Sequence, residues 1–224
     1  MIAILTSNLL WSHGHYILFA PSVVAGIGFI YWRPLFYAAI AFFIFSVYFF
    51  RNPERHCVAY EQDNNVLICP ADGKVVDITY SKDNGLEGYA QKISIFLSPF
   101  DVHVNWIPTD GILTQLTYIP GKFMMAFLPK SSELNEHNDL VITHANGNSI
   151  KVRQIAGFIA RRICWWVHEG QPLNAGQKYG MIRFGSRVDV FLPSCVALHI
   201  GVGQRVHGGS TVLGRWTCQL SSND

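Results

Sequence analysis

The chain has 224 residues, half of them hydrophobic and only 14% charged, enough for one sizeable domain with an appendage. A formal net charge of +2, with no basic run interleaved with aromatics, argues against a nucleic-acid partner. The cysteines (Cys57, Cys69, Cys164, Cys195 and Cys218) are odd in number and contain no CxxC pair. They therefore predict neither a disulfide framework nor a zinc site, and the nine histidines form no metal pattern outside His13-Gly14-His15.

Two apolar stretches come first, residues 16–32 and 35–50, parted by Arg33-Pro34. At about 1.5 Å per residue each reaches roughly 24–26 Å, short of the roughly 30 Å hydrocarbon core. The expectation is an N-terminal apolar helical hairpin, or a re-entrant pair lying in one leaflet. A cleaved signal peptide fits poorly, because there is no cationic start. Arg51 and Arg55 favour the cytoplasmic side of the cell membrane for the remainder of the chain. Residues 1–50 are thus read as a membrane-associated segment and residues 51–224 as a β-rich domain.

Beyond residue 55 short β-favouring runs alternate with turn signals. The runs are residues 65–69, 74–80, 92–97, 111–118, 140–144, 149–156, 181–184 and 188–192. Between them stand Asp72-Gly73, Asn84-Gly85, Asp110-Gly111, Asn146-Gly147 and Gly208-Gly209. Residues 159–167 are the one helix predicted in this part of the chain. A loose glycine-punctuated repeat (residues 71–76, 174–180 and 203–209) resembles the biotinyl/lipoyl-type flattened β-barrel. The predicted fold is mainly β, a flattened β-barrel or sandwich with that element. A carrier domain would present a lysine at its hairpin tip; here Arg183-Phe184-Gly185-Ser186 stands there instead.

Gly185-Ser186 interrupts an otherwise strand-like run, at a point where the backbone can leave the ladder and the hydroxyl can lie against the preceding carbonyl. Three upstream segments give the pair its meaning: Phe49-Phe50-Arg51-Asn52-Pro53, Pro70-Ala71-Asp72-Gly73, and Leu97-Ser98-Pro99-Phe100-Asp101-Val102-His103-Val104-Asn105. In this order the four resemble the phosphatidylserine decarboxylase proenzyme family in its short form. Asn135-Glu136-His137-Asn138 and Gly170-Gln171 fit the same pattern, and the resemblance runs from about residue 49 to 214.

The resemblance implies autocatalytic serinolysis between Gly185 and Ser186, giving chains 1–185 and 186–224. The second chain would be capped by a covalently bound pyruvoyl group derived from Ser186. The implied reaction converts phosphatidylserine to phosphatidylethanolamine and CO2 through a Schiff base. The implied catalytic residues are Ser186 as nucleophile, His103 as its base and Asp72 as the partner that orients His103. His103 is also the candidate proton donor after CO2 leaves. The implied assembly is a heterodimer of the two cleavage chains, or a higher oligomer of them.

One departure stands out. Longer members of the family carry a second histidine three residues after the first, and here that place holds Trp106. His137 and His144 read as structural or solvent-facing rather than as substitutes. Lys122, Arg153, Arg161, Arg162 and Arg187 are the cations available to a phosphorylated head group. Residues 119–129, apolar between Pro and Gly, suit a lipid-facing loop. The competing reading is a membrane-tethered, lipoyl-like adaptor without catalysis, which would remain one uncut chain.

Overall fold

The computed structural model describes residues 15–83, 85–122, 134–157, 162–182 and 186–218. The chain divides into two compact units, Met1–Glu54 and Arg55–Asp224.

The first unit contains α1 (His15–Tyr31) and α2 (Arg33–Phe49), each of 17 residues and so about 25 Å long. Trp32 between them is extended, and Pro34 falls in the first turn of α2, where its missing N–H leaves no helix bond unmade. The backbones approach closely at the junction, since a Cβ on Gly28 would stand 2.6 Å from the amide nitrogen of Phe36. The rings of Phe29 and Phe36 meet edge to face at 5.5 Å. Among the described residues no helix is long and apolar enough to cross a membrane.

The second unit begins with a one-turn helix, α3 (Val58–Gln62), followed by fourteen strands among the described residues. Its largest sheet has eight strands in the order β13-β2-β3-β11-β7-β6-β5-β9. The long members are β2 (Gly73–Tyr80), β3 (Gln91–Leu97), β5 (Gly111–Ile119), β6 (His137–Thr143), β7 (Ser149–Ala156) and β11 (Ser186–Leu192). The two edges, β13 (Arg205–Val206) and β9 (Pro172–Leu173), are two residues each. Two three-stranded sheets complete the unit. One has the order β1-β14-β12 and contains β1 (Val66–Ile68), β14 (Val212–Trp216) and β12 (Val196–Leu198). The other has the order β4-β10-β8 and contains β4 (Val104–Trp106), β10 (Lys178–Ile182) and β8 (Ile163–Trp165).

These are open sheets, not the closed flattened barrel expected from the glycine pattern. The large sheet runs out at both ends into strands too short to carry the ladder round, so its edges do not meet. The helix expected over residues 159–167 is likewise corrected, because Ile163–Trp165 pairs antiparallel with β10. Residues 159–161 of that stretch lie outside the described residues.

Period-2 alternation sorts the large sheet into two faces. Val188, Val190 and Leu192 of β11 join Ile150 and Val152 of β7 and Ile93 and Ile95 of β3 in the buried core, which Tyr179, Ile182 and Leu213 complete. The intervening positions are charged yet buried. Arg187 donates to Asp189 at 2.6 and 2.7 Å, and Arg153 donates to Asp139 through two bonds of 2.6 Å. β11 is buried along its whole length.

Candidate active site

Ser186 opens β11, paired with Leu97 of β3 on one side and Ala156 of β7 on the other. Ala156 is clamped in turn: its carbonyl accepts from Asn135 Nδ2 at 2.8 Å, and its amide donates to the Glu136 carbonyl at 2.9 Å. Ser186 is therefore held on both flanks by fixed backbone. It is fully buried, and its Oγ makes no hydrogen bond among the described residues. Gly185 lies outside the described residues, as do Arg183 and Phe184.

His103 sits at the end of the loop from β3 to β4 and is buried. The Ser98-Pro99-Phe100-Asp101 turn fixes that loop. Asp101 Oδ2 accepts from the Ser98 amide and hydroxyl at 2.8 and 2.7 Å, while Oδ1 accepts from Arg205 at 2.6 Å. His103 Nδ1 lies 2.9 Å from the Asp101 carbonyl oxygen. A carbonyl can only accept, so Nδ1 carries the proton and Nε2 of the neutral ring is the acceptor. The His103 carbonyl accepts from the Ile182 amide at 3.1 Å, which ties the loop to the strand that leads toward Ser186.

Asp72 immediately precedes β2 and is buried. Its carboxylate pairs with Arg55, and it accepts from the Gly208 amide at 2.9 Å and the Val102 amide at 3.4 Å. The structure thus brings Asp72 to the residue before His103, while the Nδ1 bond of the imidazole goes to Asp101. Beside this cluster burial pushes the Cys69 thiol up to about 12, so it stays neutral next to the carboxylate.

Trp106, at the place of the longer proteins' second histidine, is fully buried. Its ring lies 5.0 Å from the Arg55 guanidinium and against Gly208 and Gly209. The indole thus fills a packing position and supplies no second base. His137 is buried with Nδ1 2.7 Å from the Asn135 carbonyl oxygen, and His144 stacks on Trp216 at 5.2 Å.

Of the cations proposed for a head group, Arg153 is engaged by Asp139 and Glu87, and Arg187 by Asp189. Lys122 and Arg162 are exposed; Arg161 and residues 123–133 lie outside the described residues. Sequence reasoning missed Arg55, Asp101 and Arg205, whose roles depend on partners remote in the chain. It also missed a buried amide chain. Asn138 Nδ2 donates to Gln154 Oε1 at 3.2 Å, and Gln154 Nε2 donates to Asn105 Oδ1 at 2.8 Å.

No hydrogen bond joins Ser186 Oγ to His103 Nε2 among the described residues, and both residues are buried. The family model described as phosphatidylserine decarboxylase matches residues 42–214. A phosphatidylserine decarboxylase proenzyme of Salinibacter ruber is 44% identical over 186 residues, covering 82% of each chain. Proteins of the same name from Burkholderia ambifaria and Burkholderia multivorans are 44% identical over 170 residues, covering 76% of this chain and 78% of theirs. The chain belongs to the phosphatidylserine decarboxylase family.

Proposed function

We propose that this chain is a proenzyme that cuts its own backbone between Gly185 and Ser186 and then decarboxylates phosphatidylserine to phosphatidylethanolamine and CO2. The observation that carries the reading is the Ser186 hydroxyl, fully buried and without a hydrogen-bond partner among the described residues. Leaving such a group unsatisfied costs about 1–3 kcal/mol. That cost is understandable where the group must remain free to react. The names of the relatives, all proenzymes, support the same reading.

In the cutting reaction His103 Nε2 takes the Ser186 proton as Oγ attacks the Gly185 carbonyl carbon. The ester C–O bond forms, the peptide C–N bond breaks, and the released amine takes up the proton. Elimination then removes the α-proton of residue 186 and breaks its Cβ–Oγ bond, freeing the carboxylate of Gly185. Water converts the remaining dehydroalanine to a pyruvoyl group and ammonia. The orphaned hydroxyl and fixed flanks of Ser186 fit that group, which supplies the electron sink that no side chain offers. Asp72, held by Arg55 and bonded to the Val102 amide, steadies the loop and offsets the positive charge that the imidazole gains. After CO2 leaves, His103 is the group that returns a proton.

The products of the cut, residues 1–185 and 186–224, form a heterodimer. Residues 1–50 act as an apolar helical hairpin at the cell membrane, with the catalytic unit on the cytoplasmic side. Phe19, Phe29, Ile30, Trp32 and Ile44 are exposed large hydrophobic side chains of α1, α2 and their junction, a composition suited to a lipid surface.

Intact-mass spectrometry of the purified protein, with and without a carbonyl-trapping reagent, tests the proposal. Two chains, the smaller blocked by a group that reacts with the reagent, are expected. A single chain that stays uncut in detergent and lipid would overturn the proposal and favour a non-catalytic adaptor.

A further inference from the structure

A buried amide chain links β6 and β7 of the large sheet to β4, and the cutting steps above do not use it. Asn138, Gln154 and Asn105 are all fully buried. They sit among aliphatic side chains, where polar groups are retained only with partners or for a purpose. A run of three linked amides ends in one spare donor and one spare acceptor. Here Asn105 Nδ2 and Asn138 Oδ1 are buried with no hydrogen-bond partner among the described residues.

Register brings the donor end close to the reacting residue. Gln154 pairs with Val188, and Ala156, two residues along the same strand, pairs with Ser186. Gln154 and Ser186 are therefore diagonal neighbours on one face, a separation of about 7–8 Å or less. Asn105 is bonded to Gln154 and follows His103 by two residues, the spacing that puts side chains on one face of an extended chain. Gly180, paired with Asn105, leaves room there, for a Cβ on it would stand 3.1 Å from Gln154 Nε2.

We propose that Asn105 is a catalytic residue of the decarboxylation step, its free amide N–H donating to the carboxylate that the substrate loses. The proposal rests on the decarboxylase reading above. Gln154 and Asn138 are positioning residues that hold Asn105. The substrate's carboxylate is attached to the carbon that bears its amine, so an amine engaged at residue 186 brings the carboxylate within a few ångströms of Ser186. The donor is also of the right kind. A guanidinium would hold the carboxylate more firmly than the nearly neutral CO2 it becomes, and would so raise the barrier. A neutral amide sets the direction of the departing group with less of that ground-state stabilisation. Of the nearby cations, Arg55 and Arg187 are indeed bound to carboxylates of the protein.

The test compares the parent protein with Asn105→Ala and Asn105→Asp. Cutting is followed by intact mass, CO2 release from phosphatidylserine in detergent micelles, and inhibition by phosphatidylethanolamine, which lacks the carboxylate. Both variants are expected to cut as completely as the parent. Their kcat/KM is expected to fall about 10- to 100-fold, the loss of one hydrogen bond to a charged group. Asn105→Asp, which keeps the shape but adds a repelling charge, should fall further. Inhibition by phosphatidylethanolamine should be unchanged. Variants that cut but keep the parent's kcat/KM would overturn the proposal, as would an equal weakening for substrate and product. Failure of both variants to cut would also overturn it, assigning the amide to self-cleavage. A parent protein that never cuts would sink the decarboxylase reading itself, a result distinct from all of these.

Discussion

Gly208 lies so close to the indole of Trp106 that a Cβ built on it would stand 2.4 Å from Cε3 of the ring. The glycine is required by this approach rather than by its backbone angles. The ring cannot retreat easily, since its residue is fully buried and its amide is bonded to the Pro70 carbonyl at 2.9 Å. Gly208→Ala is therefore expected to destabilise the fold by roughly 1–3 kcal/mol, as overpacking does. Denaturant unfolding should show a lower midpoint with an unchanged slope.

Ser186→Ala is expected to fold and to remain a single inactive chain of 224 residues. Only one oxygen is removed, and that oxygen has no hydrogen-bond partner among the described residues to lose. Its stability should match or slightly exceed that of the uncut parent. Two fragments from this variant, seen by mass, would move the cut elsewhere. Ser186→Cys retains a nucleophile and should cut by the same acyl shift, but mature poorly.

Asp72 carries both a chemical and a structural load, and the two are separable by substitution. Asp72→Ala leaves the Arg55 guanidinium, only 17% exposed, without its carboxylate and leaves the Gly208 amide unsatisfied. Removing one partner of such a buried pair is expected to cost about 3–5 kcal/mol. Asp72→Asn keeps an acceptor for the amide and should be milder. If Asp72 also serves the cut, Asp72→Asn will slow fragment formation more than its unfolding midpoint accounts for. An equal cutting rate in a folded Asp72→Asn would confine the residue to structure.

Glu87 should make stability pH-dependent in the acid range. Partial burial pulls its carboxyl upward, but the Lys151 hydrogen bond and the Arg153 charge outweigh that, leaving it below its ordinary value. A carboxyl depressed in the folded state stabilises at a pH above its unfolded value, about 4.3, and loses that contribution as the pH falls through its folded value. The side chain is 47% exposed, so solvent screening limits the effect to about 1 kcal/mol or less. Glu87→Gln should be less stable than the parent at pH 7, and the gap should close as pH falls below about 4. A gap that stays constant down to pH 3 would contradict this.

The long strands were legible in the sequence because their β-branched alternation runs far enough to be read. Residues 74–80, 92–97, 149–156 and 188–192 fall within β2, β3, β7 and β11. β4, β8 and β12 were not, since three residues cannot display a period and their pairing is decided by distant strands. The site divides in the same way. Ser186, His103 and Asp72 stand in contiguous motifs, whereas Arg205 meets Asp101 across 104 positions and Gln154 meets Asn105 across 49. No local pattern announces such partners. The closed barrel was inferred from glycine corners, which mark where strands turn but not whether the last strand meets the first.

The central position of β11 also bears on the order of events. A break just before Ser186 would leave residues 186–192 paired on both sides, with β3 and with β7, while β14 further along stayed bound to β1. The shorter piece would be woven through two sheets and could not leave without dismantling both. Conversely, the flanks that hold residue 186 exist only once those sheets have formed. Fragment formation would then act as a covalent timestamp of successful folding, recorded once per molecule and never erased. Misfolded copies would be marked by being whole.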